Sequence, residues 1–508
     1  MIWLVAVAVS SLTTTSIHTP CLDDTTLTAA IAECLGVDYV NGSCSDKTYG
    51  AMPGWCMSGV TTLKDAFKGK TTFNGDITAW DTTSVTDMSG MFNDADAFNQ
   101  PIGKWITTSV TDMSGMFDFA DAFNQPIGKW ITTSVTDMSY MFYSAHAFNQ
   151  PIGQWITTSV TDMSAMFYSV YAFDQPIGQW ITTNVADMSS MFNKAITFDQ
   201  PIGNWTTTSV TDMSAMFNLA IAFDQPIGEW ITTSVTDMSA MFYSAQVFDQ
   251  PIAEWNTTSV TDMSAMLAGA HAFNQPIGEW ITTSVTKIDE IFHRARAFNQ
   301  SVDEWDMTSI RTMDRMFKGA TAYNQPLNNW HLPNVTHAMA MFTGAETFNQ
   351  PLNHWNLPSL QYATGMFYDS AMNQDLSCWN IGNANVDSFY NLDDYNDWAY
   401  DDMGDAMTHD IFAKSALEAT CWYDATSEKV DNSLCSVADR AVCSTPPPPP
   451  TGGGSSSGSG GGSVGAIVGG ILGAFVLIGV IGCAKKHYNG KNSYEKVSTL
   501  TTGIPVVF

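Results

Sequence analysis

Residues 130–154 read Trp-Ile-Thr-Thr-Ser-Val-Thr-Asp-Met-Ser-Tyr-Met-Phe-Tyr-Ser-Ala-His-Ala-Phe-Asn-Gln-Pro-Ile-Gly-Gln, and versions of this stretch fill most of the chain. Trp stands at Trp55, Trp80, Trp105, Trp130 and every 25 residues onward to Trp355, with Trp379 one residue early. A fixed period of this size marks an array in which each unit is one coil stacked on its neighbours. Trp130, Val135, Met138, Met141, Phe142, Ala145, Phe148 and Ile152 barely vary from coil to coil. All are apolar, so stacking in register makes internal columns of like side chains. One buried aromatic ring contributes roughly 4–6 kcal/mol gross. Ordering costs about 1.5 kcal/mol per residue, so a single coil does not fold alone and the array supplies the stability.

Within the coil, Ile131 and Val135 flank a Thr/Ser run suited to extended backbone. Thr136 or Asp137 can cap a short helical or 3-10 turn through Met141-Phe142. Asn149-Gln150-Pro151 turns the chain, because Pro disfavours helix at the residue before it. The expected fold class is a repeat solenoid: short parallel strands stacked about 4.8 Å apart, with a brief helical or 3-10 turn on one face.

The run Val-Thr-Asp-Met-Ser-x-Met-Phe, followed by Ala-x-x-Phe-Asn-Gln-Pro-Ile-x-x-Trp, resembles the repeat of the BspA-like surface proteins, a divergent branch of the leucine-rich repeats also catalogued as a domain of unknown function. The resemblance spans about residues 55–379. It implies a leucine-rich-repeat-like solenoid on a cell-surface protein used in adhesion or recognition, with no catalytic residues to carry over. The pattern breaks at Lys287-Ile288-Asp289-Glu290, at Thr336-His337-Ala338-Met339 and around Tyr362.

Outside the array the chain divides into further segments. Residues 1–15 read as the apolar core of a signal peptide, without the usual basic start. Residues 16–54 form a Cys-containing N-terminal cap. Cys21, Cys34, Cys44 and Cys56 lie at this end, Cys378, Cys421, Cys435 and Cys443 follow the array, and the coils between hold none. Two even groups bracketing a solenoid suit disulfide-stapled caps, since terminal coils have an apolar end to cover. The spacing is not that of a zinc site, and it leaves the connectivity open. Residues 380–445 read as an acidic C-terminal cap, and 446–463 as a Pro/Gly/Ser stalk.

Residues 464–484 are an uncharged apolar run long enough for one transmembrane helix, followed at once by Lys485-Lys486. The positive-inside rule then places 485–508 in the cytosol and predicts a single-pass type I protein of the plasma membrane with its N-terminus extracellular. Gly465, Gly469 and Gly473 share a helix face at a spacing that permits homodimeric pairing, and Cys483 is positioned for palmitoylation. Asn41, Asn204, Asn256 and Asn334 are glycosylation candidates; Asn299 is a fifth sequon, held in the Phe-Asn-Gln turn.

The charge is −30 over 508 residues. The tail holds four Lys and one Glu, leaving 16 basic and 49 acidic residues elsewhere. Such a surface disfavours nucleic acid and anionic membranes. With no Gly-rich phosphate loop, nucleophile elbow or His/Glu metal motif, the expectation is a protein that is not an enzyme and uses no cofactor or metal.

Three ladders remain. Asp87 to Asp262, one carboxylate per coil, can cap turns or face calcium. The Thr-Thr-Ser runs can offer a hydroxyl lattice to ice or mineral, which makes a structural, lattice-binding surface coat protein the alternative function. The positions after each Met-Phe pair vary while the core columns stay fixed. They include Tyr143, Tyr168, Tyr171, Tyr243, His293, Arg294, Arg296 and Lys318. Tyr and Arg are favoured at interfaces, so this face is the candidate site for an extracellular protein or glycan. Arg294, Arg296 and Lys318 there stand apart in sequence from Asp303, Glu304 and Asp306 around Trp305.

Overall fold

A computed structural model describes residues 21–374, 376 and 379–381, and the backbone of 423–424 and 429–430. The expected leader, stalk, transmembrane segment and tail lie outside the described residues, as does nearly all of the C-terminal cap. So do Cys378, Cys421, Cys435, Cys443, Cys483, Gly465, Gly469 and Gly473. Among the described residues no helix is long and apolar enough to cross a membrane.

The array is a solenoid whose core is a set of columns. Val135, Met138, Met141, Phe142, Ala145, Phe148 and Ile152 have no exposed surface, and their counterparts in neighbouring coils share that burial. Trp130 and Trp155 stack at 6.5 Å with planes 2° apart, Phe142 and Phe167 at 5.7 Å, and Phe148 and Phe173 at 6.0 Å. Each buried indole keeps its N–H satisfied: Trp155 Nε1 donates to the Ile127 carbonyl, 28 residues back, at 3.3 Å, as a polar handle in an apolar interior requires. Stacking continues to the early Trp379, 5.8 Å from Trp355. The missing residue falls among 369–372, because Phe367 keeps the 25-residue step from Phe342 whereas Met372 takes the place of Phe348 one residue short.

The expected strands and helical turns are replaced by stacked turns. The N–H groups of Met138, Tyr140, Phe142 and Ser144 donate to the carbonyls of Asp162, Ser164, Met166 and Tyr168 in the next coil, at 2.7–3.1 Å. The alternate N–H groups of Met141, Tyr143 and Ala145 close turns onto carbonyls three residues back. Parallel pairing survives as single bridges, such as Asp137 with Asp162. The physical reason is that two residues per coil are left-handed: Tyr140 at φ 56° and Ser144 at φ 55°, with counterparts throughout. A left-handed L-residue costs roughly 1–2 kcal/mol, and the conformation breaks both strand and helix. The cross-coil hydrogen bonds, each worth about 1 kcal/mol, offset it. Glycine takes the first of these places at Gly90 and Gly115.

Asp137 caps a turn rather than a helix: its Oδ1 accepts from the Ser139 N–H at 2.9 Å and from Ser139 Oγ at 2.6 Å. The Asn-Gln turn forms as expected, and its side chains also run up the stack. Asn124 Oδ1 accepts from the Asn149 N–H at 3.1 Å and from Gln150 Nε2 at 2.8 Å.

The N-terminal cap holds one α-helix, α1 (Leu27–Leu35), which buries Leu27, Ala30, Ile31, Cys34 and Leu35. That is one apolar stripe at helical spacing, and it joins the core cluster of the first coils. Asp24 fastens the cap to the array, accepting from the Thr61 N–H at 2.7 Å and Thr61 Oγ1 at 2.6 Å. The disulfides are Cys21–Cys56 and Cys34–Cys44. Far along the chain, Tyr423–Asp424 and Lys429–Val430 form a two-residue antiparallel pair.

Candidate functional site

The variable face is built from the left-handed backbone itself. In each coil the two left-handed positions, Tyr140 and Ser144 for example, flank the position after Met-Phe, here Tyr143. The core side chains of the coil point inward from between them, so these three columns are free to differ in sequence without disturbing the stack.

Two of the sequence candidates meet here in an aromatic cluster. Tyr143 and Tyr168 stack at 4.3 Å with planes 8° apart. Tyr140 approaches Tyr143 at 5.6 Å, Phe119 approaches it at 5.4 Å, and the Lys194 ammonium stands 5.3 Å over the Tyr168 ring. Phe119 and Tyr140 are 43% and 47% exposed, so two rings of the cluster are offered to solvent. Sequence reasoning passed over both, because apart from Leu219 their columns otherwise hold Gly, Ala, Ser or charged residues; comparing the coils position by position would have found them. Burial, then the neighbouring Tyr168 and Asp118, push the Tyr143 phenol up to about 12.

Asp118 occupies the column position before Tyr143. Its Oδ2 accepts from Asn93 Nδ2 at 2.5 Å, and its Oδ1 is buried without a hydrogen bond. Burial, with Asp94 nearby, pushes this carboxyl up from 3.8 to about 6, against the pull of Lys68. Between those two values the folded chain holds a proton that the unfolded chain has lost, so stability falls as pH rises through that window. The penalty is complete above about pH 6 and absent below pH 3.8. Asp118→Asn is therefore expected to stabilise the protein by about 1 kcal/mol near neutrality, after discounting for solvent screening. That gain should vanish near pH 4; urea unfolding of both proteins across pH checks it, and a gain independent of pH would contradict it.

Other candidates lie elsewhere. Tyr171 is in a different column and stacks on His146 at 4.7 Å, while His146 Nδ1 is 2.7 Å from Asp121. Tyr243 stands four coils beyond Tyr143, and His293 two coils further.

The basic group forms its own site, but its charges are interleaved with acids across coils. Arg315 bonds Glu290 of the preceding coil, and His293 Nδ1 lies 3.4 Å from Glu290 Oε2. Lys287 Nζ pairs with Asp262 at 2.8 Å. The His293 hydrogen bond and the Arg315 charge hold Glu290 below its ordinary range despite burial. Burial, with Asp289 and Glu290, raises Asp314 to about 6. The sequence already sets Asp289, Glu290 and Asp314 among these basic residues; the structure shows Glu290 engaged by Arg315 and His293.

The hydroxyl ladder is largely hydrogen-bonded between coils, although only its first column is buried. Thr132 is 1% exposed; its Oγ1 donates to the Ile156 carbonyl and accepts from the Ile156 N–H, both at 2.9 Å. Ser134 and Thr136 donate to carbonyls of the preceding coil. In this part of the coil only the Thr133 column remains outward without such a bond. Among the sequons, Asn41 and Asn204 are exposed, Asn256 Oδ1 accepts from the Thr258 N–H, and Asn334 Nδ2 donates to the Thr308 carbonyl. Asn299 Oδ1 accepts from both the Asn324 N–H and Gln325 Nε2, which holds it in the stack. Among the described residues no His, Cys, Asp and Glu group is arranged to hold a metal ion.

Coils of fixed length, a continuous aromatic core and a variable face of left-handed residues define a repeat solenoid. The chain belongs to the family described as Mycoplasma protein of unknown function, DUF285, whose profile matches residues 40–155, 147–234, 222–310 and 300–398. No curated protein matches it. Among solved structures, the "Crystal structure of TLR13-ssRNA13 complex" is similar at 9% identity and a TM-score of 0.19, over 66% of this chain. The chain spans about half, 53%, of the length of that protein.

Proposed function

We propose that this is a BspA-like, leucine-rich-repeat-related recognition protein of the cell surface that binds an extracellular glycan through the aromatic cluster of its variable face. The observation that carries the proposal is that cluster: two exposed rings, Phe119 and Tyr140, on a stacked Tyr143–Tyr168 base. Amide, carboxyl and ammonium groups of Asn93, Asp118 and Lys194 stand beside it. Aromatic faces suit the C–H face of a sugar, and the polar groups suit its hydroxyls. In the proposed topology the chain is a single-pass type I protein of the plasma membrane, anchored by 464–484. The apolar run with its flanking lysines supports this, as do disulfides of the kind that persist in oxidising compartments. The lattice-binding alternative is disfavoured because most hydroxyls of its ladder are spent between coils.

The test is a glycan array probed with the parent chain and with a variant carrying Phe119→Ser and Tyr140→Ala. Ser and Ala occupy the same left-handed positions in other coils, as at Ser169 and Ala165, so the backbone accommodates both. Binding is expected to fall at least about tenfold, the effect of removing aromatic anchors, with the unfolding midpoint nearly unchanged. Retained affinity, or no glycan bound by the parent, would sink the proposal.

A further inference from the structure

A second surface lies on the edge of the solenoid where the chain passes the Trp column. Around each Trp the burial alternates: Lys104 and Ile106 are exposed while Trp105 and Thr107 are buried. Lys104 lies in the turn that the Trp105 N–H closes onto the Ile102 carbonyl at 3.1 Å, and the chain leaves that turn through Ile106, so each coil exposes one residue on either side of its buried Trp.

The residue after Trp makes an apolar stripe. Ile106, Ile131, Ile156 and Ile181 follow one another in successive coils at 46–49% exposure, and Ile231 and Ile281 extend the stripe at 48% each. Single exposed isoleucines need no explanation, but a contiguous run of them marks a contact surface. Nothing in the core demands Ile here, since Thr206 and Asn256 occupy the same column.

The residue before Trp gives the stripe a polarity. Reading along the stack it is Lys104 and Lys129, then Gln154, Gln179 and Asn204, then Glu229, Glu254, Glu279 and Glu304, all exposed. One end of the edge is cationic, the middle neutral and the far end anionic. A parallel copy would set Lys against Lys and Glu against Glu. An antiparallel copy sets the lysine end against the glutamate end, while Gln154 and Gln179 meet Glu254 and Glu229. With a two-fold axis through Asn204 and Thr206, Lys104 faces Glu304 of the second copy and Lys129 faces Glu279. In the same register Ile131 meets Ile281 and Ile181 meets Ile231. A two-fold contact must be self-complementary in this way, with residue i meeting j and j meeting i.

We propose that this edge is the interface of an antiparallel homodimer, in which the isoleucine stripes pack together and the graded charge columns fix direction and register. It is independent of the aromatic cluster and of the glycan proposed to bind there. Sugar on Asn204 or Asn256 would stand on the stripe, so both residues are expected to be bare.

The experiment measures the dissociation constant of the full-length chain by analytical ultracentrifugation. The expected result is a reversible dimer. Lys104→Glu with Lys129→Glu should weaken it at least tenfold, and adding Glu279→Lys with Glu304→Lys should restore it to within about threefold, as charge-fixed register requires. Thr206→Cys should cross-link the two copies under mild oxidation. A parent that is monomeric at about 0.1 mM, weaker than most functional contacts, would overturn the proposal. So would a charge-reversed variant that dimerises as the parent does, failure of the second pair to restore the dimer, absence of a cross-link in the Thr206→Cys variant, or mass-spectrometric detection of sugar on Asn204 or Asn256.

Discussion

Replacing Trp205 with Ala is expected to cost about 3–5 kcal/mol, the range for a large aromatic removed from a core that cannot collapse around the gap. Trp205 is 3% exposed and lies between Trp180 at 6.3 Å and Trp230 at 6.5 Å, against Phe192 at 6.2 Å. Its Nε1 also donates to the Ile177 carbonyl at 3.2 Å, so truncation leaves that acceptor unpaired. Each coil touches only its neighbours, so a defect in mid-array weakens the coupling between the two halves. Denaturant unfolding is therefore expected to show a lower midpoint and a broader transition. Thr133→Ala, at an exposed position in the same part of a coil, should cost under about 0.5 kcal/mol. Equal costs for the two changes would mean that the Trp column is not what holds the stack.

Thr157→Val should cost about 2–4 kcal/mol although it keeps shape and volume. The Thr157 hydroxyl is both donor and acceptor for one residue of the next coil: it donates to the Ile181 carbonyl and accepts from the Ile181 N–H, each at 2.9 Å. At 1% exposure water cannot replace it. The methyl group of Val therefore orphans two backbone groups, each worth about 1–3 kcal/mol when left unsatisfied. Thr157→Ser keeps the hydroxyl and should cost under about 1 kcal/mol. If Val and Ser prove equivalent by thermal unfolding, the hydroxyl is not a structural link and the Thr run regains its claim to be a surface lattice.

The core of this fold was legible because a 25-residue period repeats the same apolar residues, and periodicity of burial needs no knowledge of backbone angles. The backbone was not legible for a related reason. Left-handed residues are usually announced by Gly or Asn, yet here Tyr140, Ala165, Leu219 and Arg294 adopt that conformation because the stack imposes it. Strand propensity in Ile131 to Val135 therefore suggests a strand that does not form, and the Thr run suits either a surface lattice or a hydrogen-bonded ladder; the alternation around Trp130 puts Thr132 inside, as the ladder requires. At the candidate site, Tyr143 and Tyr168 could be found as variation on a fixed frame. Tyr140 was missed because it belongs to a flanking column whose nearness follows from the turn geometry, and Phe119 because its column, which also supplies Arg294, holds no other aromatic residue. The pairing of Cys21 with Cys56 and of Cys34 with Cys44 is set by how α1 folds back on the first coil, and spacing alone does not encode it.

The uniformity of the aromatic columns bears on how the chain finds its alignment. If one coil were looped out, Phe142 would meet a Phe and Trp155 a Trp as well as before, and the main loss would be the entropy of closing a 25-residue loop, which grows only slowly with length. Whole-coil slippage is thus nearly degenerate in the interior of the array, a flat region in an otherwise funnelled landscape. What breaks the degeneracy is the part of the sequence that departs from the pattern. Asp24 grips Thr61 through a contact made only at the cap, Leu267 stands where other coils have Phe, Lys287 seeks the carboxylate of Asp262, and Arg315 seeks Glu290. These irregular coils act as index marks. A chain made wholly of the average coil would keep its columns and lose its count.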